Sequence, residues 1–378
     1  MRYRHRVALI FLIGFFIDCI NIFMSAIALP SIAAEMAVSP ALVTWVTNAY
    51  ILGLTVIMPL APWLAARYGH RALLTASMLI FTVAVALCGL SQDVYGLVFW
   101  RFIQGVGGGL LIPVGQALTF GLFQGAQRSK ISTVVMAVAL LAPALSPSIG
   151  GAIVDHASWR WVFFSNVPFA LLAALLSWRW IRVEAIRPVA KPDLKGLLLM
   201  SLGLGLLLLA LSLYGDQGEA SWALLALALS LFWLWAYRRH ERLAPSLAIV
   251  SLRLLQNRSL RASVWVYYAV PGLFTGVNVL NIFYLQQQVG FSAEATGRFM
   301  FVYALGALLT MLGGGYTYPR LGPRVLFSVG IVAHNLGIAC LFFVASKADI
   351  HRAVAVGLCA DGDGRRPVCQ YGPNHGLN

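Results

Sequence analysis

The chain has 378 residues, of which 60% are apolar and 11% are charged, and its formal net charge is +14. An ordinary soluble domain is about 45–50% apolar and about 25% charged, because a folded chain in water needs polar side chains over its surface. The composition therefore excludes a water-soluble enzyme or a DNA-binding domain. The basic residues lie in short clusters between long apolar runs rather than on one face, so we expect no nucleic acid partner.

Apolar runs long enough to cross a membrane follow one another along the chain. A spanning helix needs about 20 mostly apolar residues, and the alternating pattern of a membrane β-barrel is absent. The sequence predicts an all-α polytopic membrane protein with about 11 transmembrane helices. They lie near 7–29, 43–64, 72–91, 95–122, 131–154, 161–181, 196–214, 221–237, 262–285, 296–316 and 325–345.

The distribution of positive charge predicts the orientation of these spans. If the N-terminus is cytoplasmic, most of the 27 Lys and Arg residues fall before the first span and after each even-numbered span through the tenth. The opposite loops hold Arg160, Arg298, Lys347 and Arg352. Lys and Arg are retained on the cytoplasmic side, so we expect a multi-pass protein of the cytoplasmic (inner) membrane with its N-terminus inside.

Two cytoplasmic loops share the pattern R-x-G-x-R, which indicates an internal duplication of a six-helix unit. A charged turn would explain either copy alone, but not both at matching positions in the two halves. The second copy lies between spans ten and eleven, so we infer that spans 196–214 and 221–237 are an insert between the halves. The motif residues are Arg67, Gly69 and Arg71 in the first copy and Arg320, Gly322 and Arg324 in the second.

One acidic residue, Asp18, lies deep inside a predicted span. An ionised carboxylate at that depth costs roughly 2.5–3.5 kcal/mol by insertion scales, so such a group is suited to taking up and releasing protons. Asp18, Asn21 and Ser25 fall on one face of the first helix, and this polar stripe should face the interior of the bundle. The alternative is a carboxyl held by a neighbouring helix for packing alone.

A basic residue, Arg101, lies inside the fourth span, with Gln104 one turn later and glycines at 105 and 107–109. Arg101 could extend toward an interface, but a polar node between closely packed helices is favoured. Gly105 and Gly109 form a G-x-x-x-G pattern that is typical of close helix packing. A dinucleotide-binding loop is excluded because it needs a preceding strand.

Two further sets of residues are candidates for the transport path. Pro143, Pro147, Gly150 and Gly151 interrupt the regularity of the fifth span, which would let that helix bend or simply give it a kink. Aromatic faces attract lipophilic cations, although aromatic side chains in membrane helices commonly face lipid. The candidate aromatic cavity residues are Trp45, Tyr50, Phe283 and Tyr284.

Several stretches together resemble the major facilitator superfamily, in particular its 14-span drug:proton antiporter (DHA2-type) branch. This sequence departs from that branch in three places. Asn21 stands where the branch has its first-helix Asp. Pro62 and Ala66 replace a Gly and an Asp of the first R-x-G-x-R loop, and Ala142 and Ser146 replace glycines of the fifth-helix motif. The matching stretches are 28–30 (ALP), 45–50 (WVTNAY), 101–109 (RFIQGVGGG), 147–151 (PSIGG), 159–164 (WRWVFF), 166–168 (NVP), 284–286 (YLQ) and 290–292 (GFS).

The resemblance implies a major-facilitator fold with an N-terminal six-helix bundle (1–182), a linker with two inserted helices (183–240) and an incomplete C-terminal bundle (241–348). Residues 349–378 would then be an atypical tail, which a frameshift or a premature stop would explain. Cys359, Cys369 and His375 fit no standard metal-site spacing, and no cofactor is expected.

By the same resemblance, the expected function is proton-coupled export of amphiphilic drugs or related small molecules, with Arg101 in proton coupling. Asp18, selected by its depth in the first span, is the expected proton-binding partner. Asn21, Ser25 and Gln104 join the aromatic residues as cavity candidates. The expected partners are protons, the substrate, the lipid bilayer and, as a further candidate, a periplasmic adaptor protein. Transport of a defined metabolite in the same fold and a non-transporting membrane fragment are the alternatives, and a membrane enzyme is disfavoured.

Overall fold

A computed structural model describes residues 2–183, 192–215, 220–244, 250–288 and 290–302, and a few residues between 325 and 336. The regular secondary structure of this described part is helical throughout, so the predicted all-α class is confirmed. The chain divides into two compact units, Met1–Ala307 and Leu308–Asn378, and all helices named below lie in the first. The finer division of the chain into four parts stays a prediction.

The N-terminal part of the chain folds into ten α-helices. Three of the predicted spans are built from more than one of them, because short 3-10 or turn segments interrupt the helix. The elements are α1 Tyr3–Met36, α2 Pro40–Val43, α3 Trp45–Ile57, a 3-10 turn Met58–Leu60, α4 Ala61–Tyr68, α5 His70–Leu90, α6 Val94–Gly108, α7 Leu111–Leu122, α8 Ala126–His156, α9 Trp159–Phe164 and α10 Val167–Trp180.

Three long helices and several short helical segments follow. The elements are α11 Leu194–Gly215, α12 Ala220–Leu243, a 3-10 helix Leu252–Gln256, α13 Arg258–Phe283 and a π-helical turn Tyr284–Gln288. Residues 293–302 are also helical. The helix α13 coincides with the ninth predicted span, and segment 293–302 contains the start of the tenth. The rest of the tenth span, most of the eleventh and the predicted tail lie outside the described residues.

Among the described residues, eight helical stretches are long and apolar enough to cross a membrane. They coincide with the first eight predicted spans, whose ends differ by several residues because the helices continue beyond the apolar core of each run. The eight stretches are Tyr3–Met36, Pro40–Tyr68, His70–Leu90, Val94–Leu122, Lys130–His156, Trp159–Trp180, Leu194–Tyr214 and Ala220–Leu243.

Local chemistry sets the ends of several helices. The Ser39 and Asp93 side chains accept hydrogen bonds from backbone N–H groups in the first turns of α2 and α6, 3.2 Å from Leu42 N and 2.8 Å from Gly96 N, which is the usual N-cap arrangement. Between α4 and α5 the chain reverses at Gly69, whose φ is +77°. Side chains other than glycine rarely adopt this conformation, which explains the central glycine of the first R-x-G-x-R motif.

The first helix is the centre of the N-terminal bundle. Helix α1 packs against α7, α8, α9 and α10, while α5 packs against α6 and α10. Their shared core is apolar and includes Ile10, Leu29, Phe81, Leu97 and Phe163, each no more than 1% exposed. The polar residues of α1 therefore lie within a bundle and not on its lipid face.

Helices α3 and α6 approach each other until their backbones touch. A methyl group added to Gly105 would overlap the carbonyl oxygen of Tyr50, and one added to Gly53 would overlap that of Phe102. On the same seam, a methyl group at Gly109 would lie 2.6 Å from a side-chain carbon of Ile57. Gly105 and Gly109, the two glycines of the predicted G-x-x-x-G pattern, both lie on this seam.

This seam predicts the effect of adding one methyl group at Gly105. Because the Tyr50 carbonyl oxygen cannot move without breaking α3, Gly105→Ala should destabilise the protein by about 1–3 kcal/mol, measured as a lower thermal midpoint in detergent. The control is Gly121→Ala, where an added Cβ meets nothing within 4 Å. Equal midpoints for both variants would contradict the packing described here.

Candidate functional site

The polar stripe of α1 is buried in the bundle. Asp18 is 2% exposed, and Asn21 and Ser25 are both 0% exposed. They are spaced three and four residues apart on a helix whose other buried residues are almost all apolar, so they project from one face. The structure thus brings together the three α1 residues that the sequence analysis selected.

Arg101 on α6 faces this stripe and is fully buried. Its Nε donates a hydrogen bond to the Val46 carbonyl oxygen at 2.7 Å, and its Nη2 donates to Ser25 Oγ at 3.0 Å. Its Nη1 donates to Asn21 Oδ1 and, at 3.0 Å, to Gln104 Oε1. One guanidinium therefore ties together α1, α3 and α6, using the several donors that arginine holds in a rigid plane.

Tyr50 on α3 lies between Arg101 and Asp18. Its hydroxyl donates a hydrogen bond to Asp18 Oδ1, while the Arg101 guanidinium carbon lies 4.6 Å from the centre of its ring. The predicted role of Tyr50 was that of a cavity-lining aromatic, but its side chain is 0% exposed. Its position makes it the link between the buried acid and the buried base.

Two polar atoms at this cluster carry no hydrogen bond among the described residues. Asn21 Nδ2 and Gln104 Nε2 are both buried and unpartnered, because the amide oxygens of the two side chains accept from Arg101. The Cys88 thiol lies 3.8 Å from Gln104 Oε1. The two amide groups are available as donors for a water molecule or for a polar group of a bound molecule.

The other aromatic candidates lie apart from this cluster. Trp45 donates from Nε1 to Ser212 Oγ of α11 at 2.7 Å, so it joins α3 to α11. Phe283 is partly buried against the main core, and Tyr284 packs on a second cluster with Ile27 and Ile282. Membership of a substrate cavity stays a prediction for all three.

The fifth-span motif lies within α8, and its glycines face neighbouring segments on two sides of that helix. The helix continues through Pro143 and Pro147. A methyl group on Gly150 would lie 2.8 Å from Ile27 of α1, and one on Gly151 would overlap the carbonyl oxygen of Ala293. The glycines therefore permit close contact with α1 on one side and with segment 293–302 on the other.

The first R-x-G-x-R motif is also placed by the structure. Arg71 has its guanidinium carbon 4.1 Å from the centre of the Trp178 ring, which is a cation–π contact between α5 and α10. Arg67 is exposed, and Gly69 makes the turn described above. The second copy, with Arg320, Gly322 and Arg324, lies outside the described residues.

Sequence analysis missed a set of contacts at the end of α8. The Asp155 carboxylate accepts hydrogen bonds from the backbone N–H groups of Ala293 at 3.1 Å and Glu294 at 2.7 Å. It thus caps the start of the helical segment 293–302. His156 Nε2 lies 3.0 Å from Glu294 Oε2, and Ser148 Oγ donates to the Gly297 carbonyl oxygen at 2.9 Å.

A second missed contact lies at the same end of the bundle. Glu35, near the end of α1, accepts hydrogen bonds from Arg160 Nη1 and from Trp159 Nε1, each at 2.6 Å. A cavity of about 500 Å³ beside these residues is lined by Pro30, Val38, Asp155, Gln286 and Phe291, among others. The sequence pair Trp159-Arg160 could have indicated a polar contact here, but the acidic partner of Arg160 lies 125 residues earlier in the chain.

Comparison with known proteins identifies the fold family. The sequence profile described as Major Facilitator Superfamily matches residues 11–361. The chain belongs to this superfamily. It is thus a multi-pass protein of a transporter family and not an enzyme, and the family resemblance noted in the sequence is confirmed.

Relatives within the superfamily carry names that refer to multidrug transport. The chain is 31% identical over 327 residues to the "Multidrug transporter protein MdtP" of Bacillus subtilis, covering 85% of this chain and 60% of that protein. It is 31% identical over 363 residues to the "Multidrug resistance protein B homolog" of Mycobacterium tuberculosis, covering 94% of this chain and 66% of that protein. The chain thus spans 60–66% of the length of these relatives.

Solved structures of the superfamily share the fold. A crystal structure of a POT family peptide transporter aligns with a TM-score of 0.54 at 18% identity, covering 86% of this chain and 70% of that one. A D-xylose–proton symporter aligns with a TM-score of 0.53 at 15% identity, covering 85% and 70%. The likeness at this identity concerns the fold, and the predicted major-facilitator architecture is confirmed.

The hydrogen bonds of Arg101 predict how this superfamily member responds to its loss. Arg101→Leu removes the guanidinium donors from the Val46 carbonyl oxygen and from two amide oxygens, and it leaves Asp18 without a nearby positive charge. We expect Arg101→Leu to lower the free energy of unfolding by about 3–5 kcal/mol. Arg101→Lys, which keeps the charge but not the planar donors, should lower it by less. Thermal unfolding in detergent measures both. The control is Arg179→Leu, which changes an exposed residue. An equal drop in thermal midpoint for this control would contradict a stabilising role of the buried Arg101 hydrogen bonds.

Proposed function

We propose that this chain carries out proton-coupled export of amphiphilic drugs or related small molecules across the cytoplasmic membrane, with Asp18 as the proton-binding group. One observation carries the proposal: a carboxyl that is 2% exposed in a spanning helix, bonded to a tyrosine hydroxyl and close to a buried arginine. Ionisable groups at such depth are costly and mark ion or substrate pathways by default.

The chemistry follows from the charges of the cluster. With Asp18 ionised, the negative carboxylate and the positive Arg101 guanidinium balance each other across Tyr50. Proton uptake removes the negative charge and converts the carboxyl from an acceptor into a group that can also donate. The Tyr50 hydrogen bond then changes, and the contacts between α1, α3 and α6 become weaker in one state than in the other. A proton can thereby shift the balance between two conformations.

The proposed substrate class rests on the chemistry of the buried cluster and on the relatives' names. Asn21 and Gln104 offer free amide donors beside the buried charges, while the surrounding helices are apolar and aromatic. Such a site suits molecules with an apolar body and one polar or cationic group. The relatives named for multidrug transport support the same class.

For the direction of transport, we place the N-terminus in the cytoplasm. The start of α8 then lies inside and its end, with Asp155, lies outside. The bonds from Asp155 to Ala293 and Glu294 would hold the outer side closed, and they would have to break before substrate leaves. A periplasmic adaptor protein stays a predicted partner of this outer surface.

The first test of this proposal concerns Asp18. In proteoliposomes of the full chain with an imposed proton gradient, Asp18→Asn should reduce gradient-driven transport of ethidium, a lipophilic cation, at least tenfold. The amide keeps the shape of the side chain but cannot exchange a proton. Tyr50→Phe, which removes only the hydroxyl, should also reduce transport while leaving the ring that Arg101 contacts.

The matched control for this test is Asp93→Asn, the same chemical change at an exposed helix cap. Asparagine is also a good cap, so this variant should transport normally. Gradient-driven transport that is unchanged in Asp18→Asn would remove Asp18 from the mechanism. If the unmodified chain does not transport ethidium but transports one metabolite from a substrate panel, the drug-export proposal is wrong and transport of a defined metabolite is favoured.

A second test concerns the orientation. Single cysteines are introduced at positions 93 and 128. Position 93 lies just before the fourth span, and position 128 lies after its other end. Because of the positive charge of the loop that contains Arg128, an impermeant thiol reagent added to intact cells should label position 93 and not position 128. The opposite pattern would overturn the orientation, and the direction of transport with it.

A further inference from the structure

Helix α12, the second of the inserted helices, has two faces of opposite character. Its buried face packs on α11 and is made of small and polar residues, where Ser230 Oγ donates to the Gly203 carbonyl oxygen at 2.8 Å. The opposite face is exposed: Leu231 is 58%, Phe232 53% and Trp235 56% exposed. In a spanning helix such a face lies against lipid.

The exposed face of α12 ends in three arginines. Arg238, Arg239 and Arg242 follow Trp235 at helical spacing, so they continue the same face within its last two turns. Together with Trp235 they line a cavity of about 500 Å³. The Arg239 guanidinium carbon lies 5.8 Å from the centre of the Trp235 ring.

Two further charged or titratable side chains of this helix end, His240 and Glu241, already have partners on the buried side. His240 Nε2 lies 2.8 Å from Asp193 Oδ1, and Asp193 also caps the start of α11 through Gly196 N. Glu241 is 3% exposed, and its Oε1 lies 3.5 Å from Ser251 Oγ. These contacts fix the rotation of α12, so the three arginines are held outward, and among the described residues none of the three forms an ion pair.

We propose that the cavity lined by Trp235, Arg238, Arg239 and Arg242 binds the phosphate headgroup of an anionic phospholipid from the cytoplasmic leaflet. The acyl chains lie along Leu231 and Phe232, and Trp235 stands at the boundary between chain and headgroup. Guanidinium groups match phosphate in charge and in hydrogen-bond geometry. Basic pockets on the cytoplasmic side of membrane helices are suited to acidic headgroups.

The apolar residues next to the arginines favour a lipid over other phosphate ligands. A soluble phosphate compound would use the arginines alone, whereas here the charged pocket is continuous with an exposed apolar strip on the same helix face. An acidic protein would also have to compete with the lipid headgroups around it. The occupant is therefore the molecule that offers both a phosphate and acyl chains.

The test uses the full chain in nanodiscs of phosphatidylcholine doped with phosphatidylglycerol, with retained phosphatidylglycerol counted by native mass spectrometry. The triple variant Arg238→Gln, Arg239→Gln, Arg242→Gln should bind phosphatidylglycerol on the order of a hundredfold more weakly, at about fivefold per guanidinium. The triple change to Lys keeps the charges and should retain most of the binding. Phe232→Ala, a change along the acyl chains, should weaken retention of long-chain but not of short-chain phosphatidylglycerol.

The control is the triple variant Arg253→Gln, Arg258→Gln, Arg261→Gln, which removes the same charge from exposed residues outside the cavity. It should change retention by threefold or less. Equal loss in both triple variants would show a diffuse surface effect and overturn the proposal, as would equal competition by glycerol phosphate. If the first triple variant does not fold, single Arg242→Gln and Arg261→Gln variants make the same comparison, with a fivefold difference expected.

Discussion

The N-terminal bundle depends on the way it solvates one buried positive charge. Moving an unpaired guanidinium into an apolar interior is far costlier than any single hydrogen bond returns, so the helices around Arg101 have to supply acceptors. They do so with a backbone carbonyl from α3, two side chains from α1 and one from α6 itself. Because the acceptors come from three helices, the position of each helix depends on the other two.

The glycines of α3 and α6 make this solvation geometrically feasible. Arg101 reaches the Val46 carbonyl oxygen only if the two helix backbones are in contact, and Gly53 and Gly105 allow that contact. Gly108 extends the same seam to the acid, since a methyl group there would lie 2.9 Å from Asp18 Oδ1. The small residues and the buried charges are therefore two parts of one arrangement.

Much of this arrangement could be predicted from the sequence, and the rest shows what a single sequence lacks. Hydropathy placed the first eight spans, and helical periodicity placed Asp18, Asn21 and Ser25 on one face, because both depend on residues near each other in the chain. Periodicity does not say which neighbouring helix a face meets. For this reason the hydrogen bond from Tyr50 to Asp18 and the bonds of Asp155 to a segment 138 residues later were not predicted.

The polar contacts differ in strength between the middle of the bundle and the end that carries Asp155 and His156. This difference bears on how the molecule could change conformation. His156 and Glu294 have side chains 75% and 32% exposed, and ion pairs in water contribute about 0–1 kcal/mol. The bonds of Arg101 are buried, where losing one partner costs several kcal/mol. A conformational change that opens the contacts at the end of α8 and keeps the central ones is therefore the less costly route. Only a change in the charge of the buried cluster itself, such as protonation of Asp18, would make the central contacts comparably easy to rearrange.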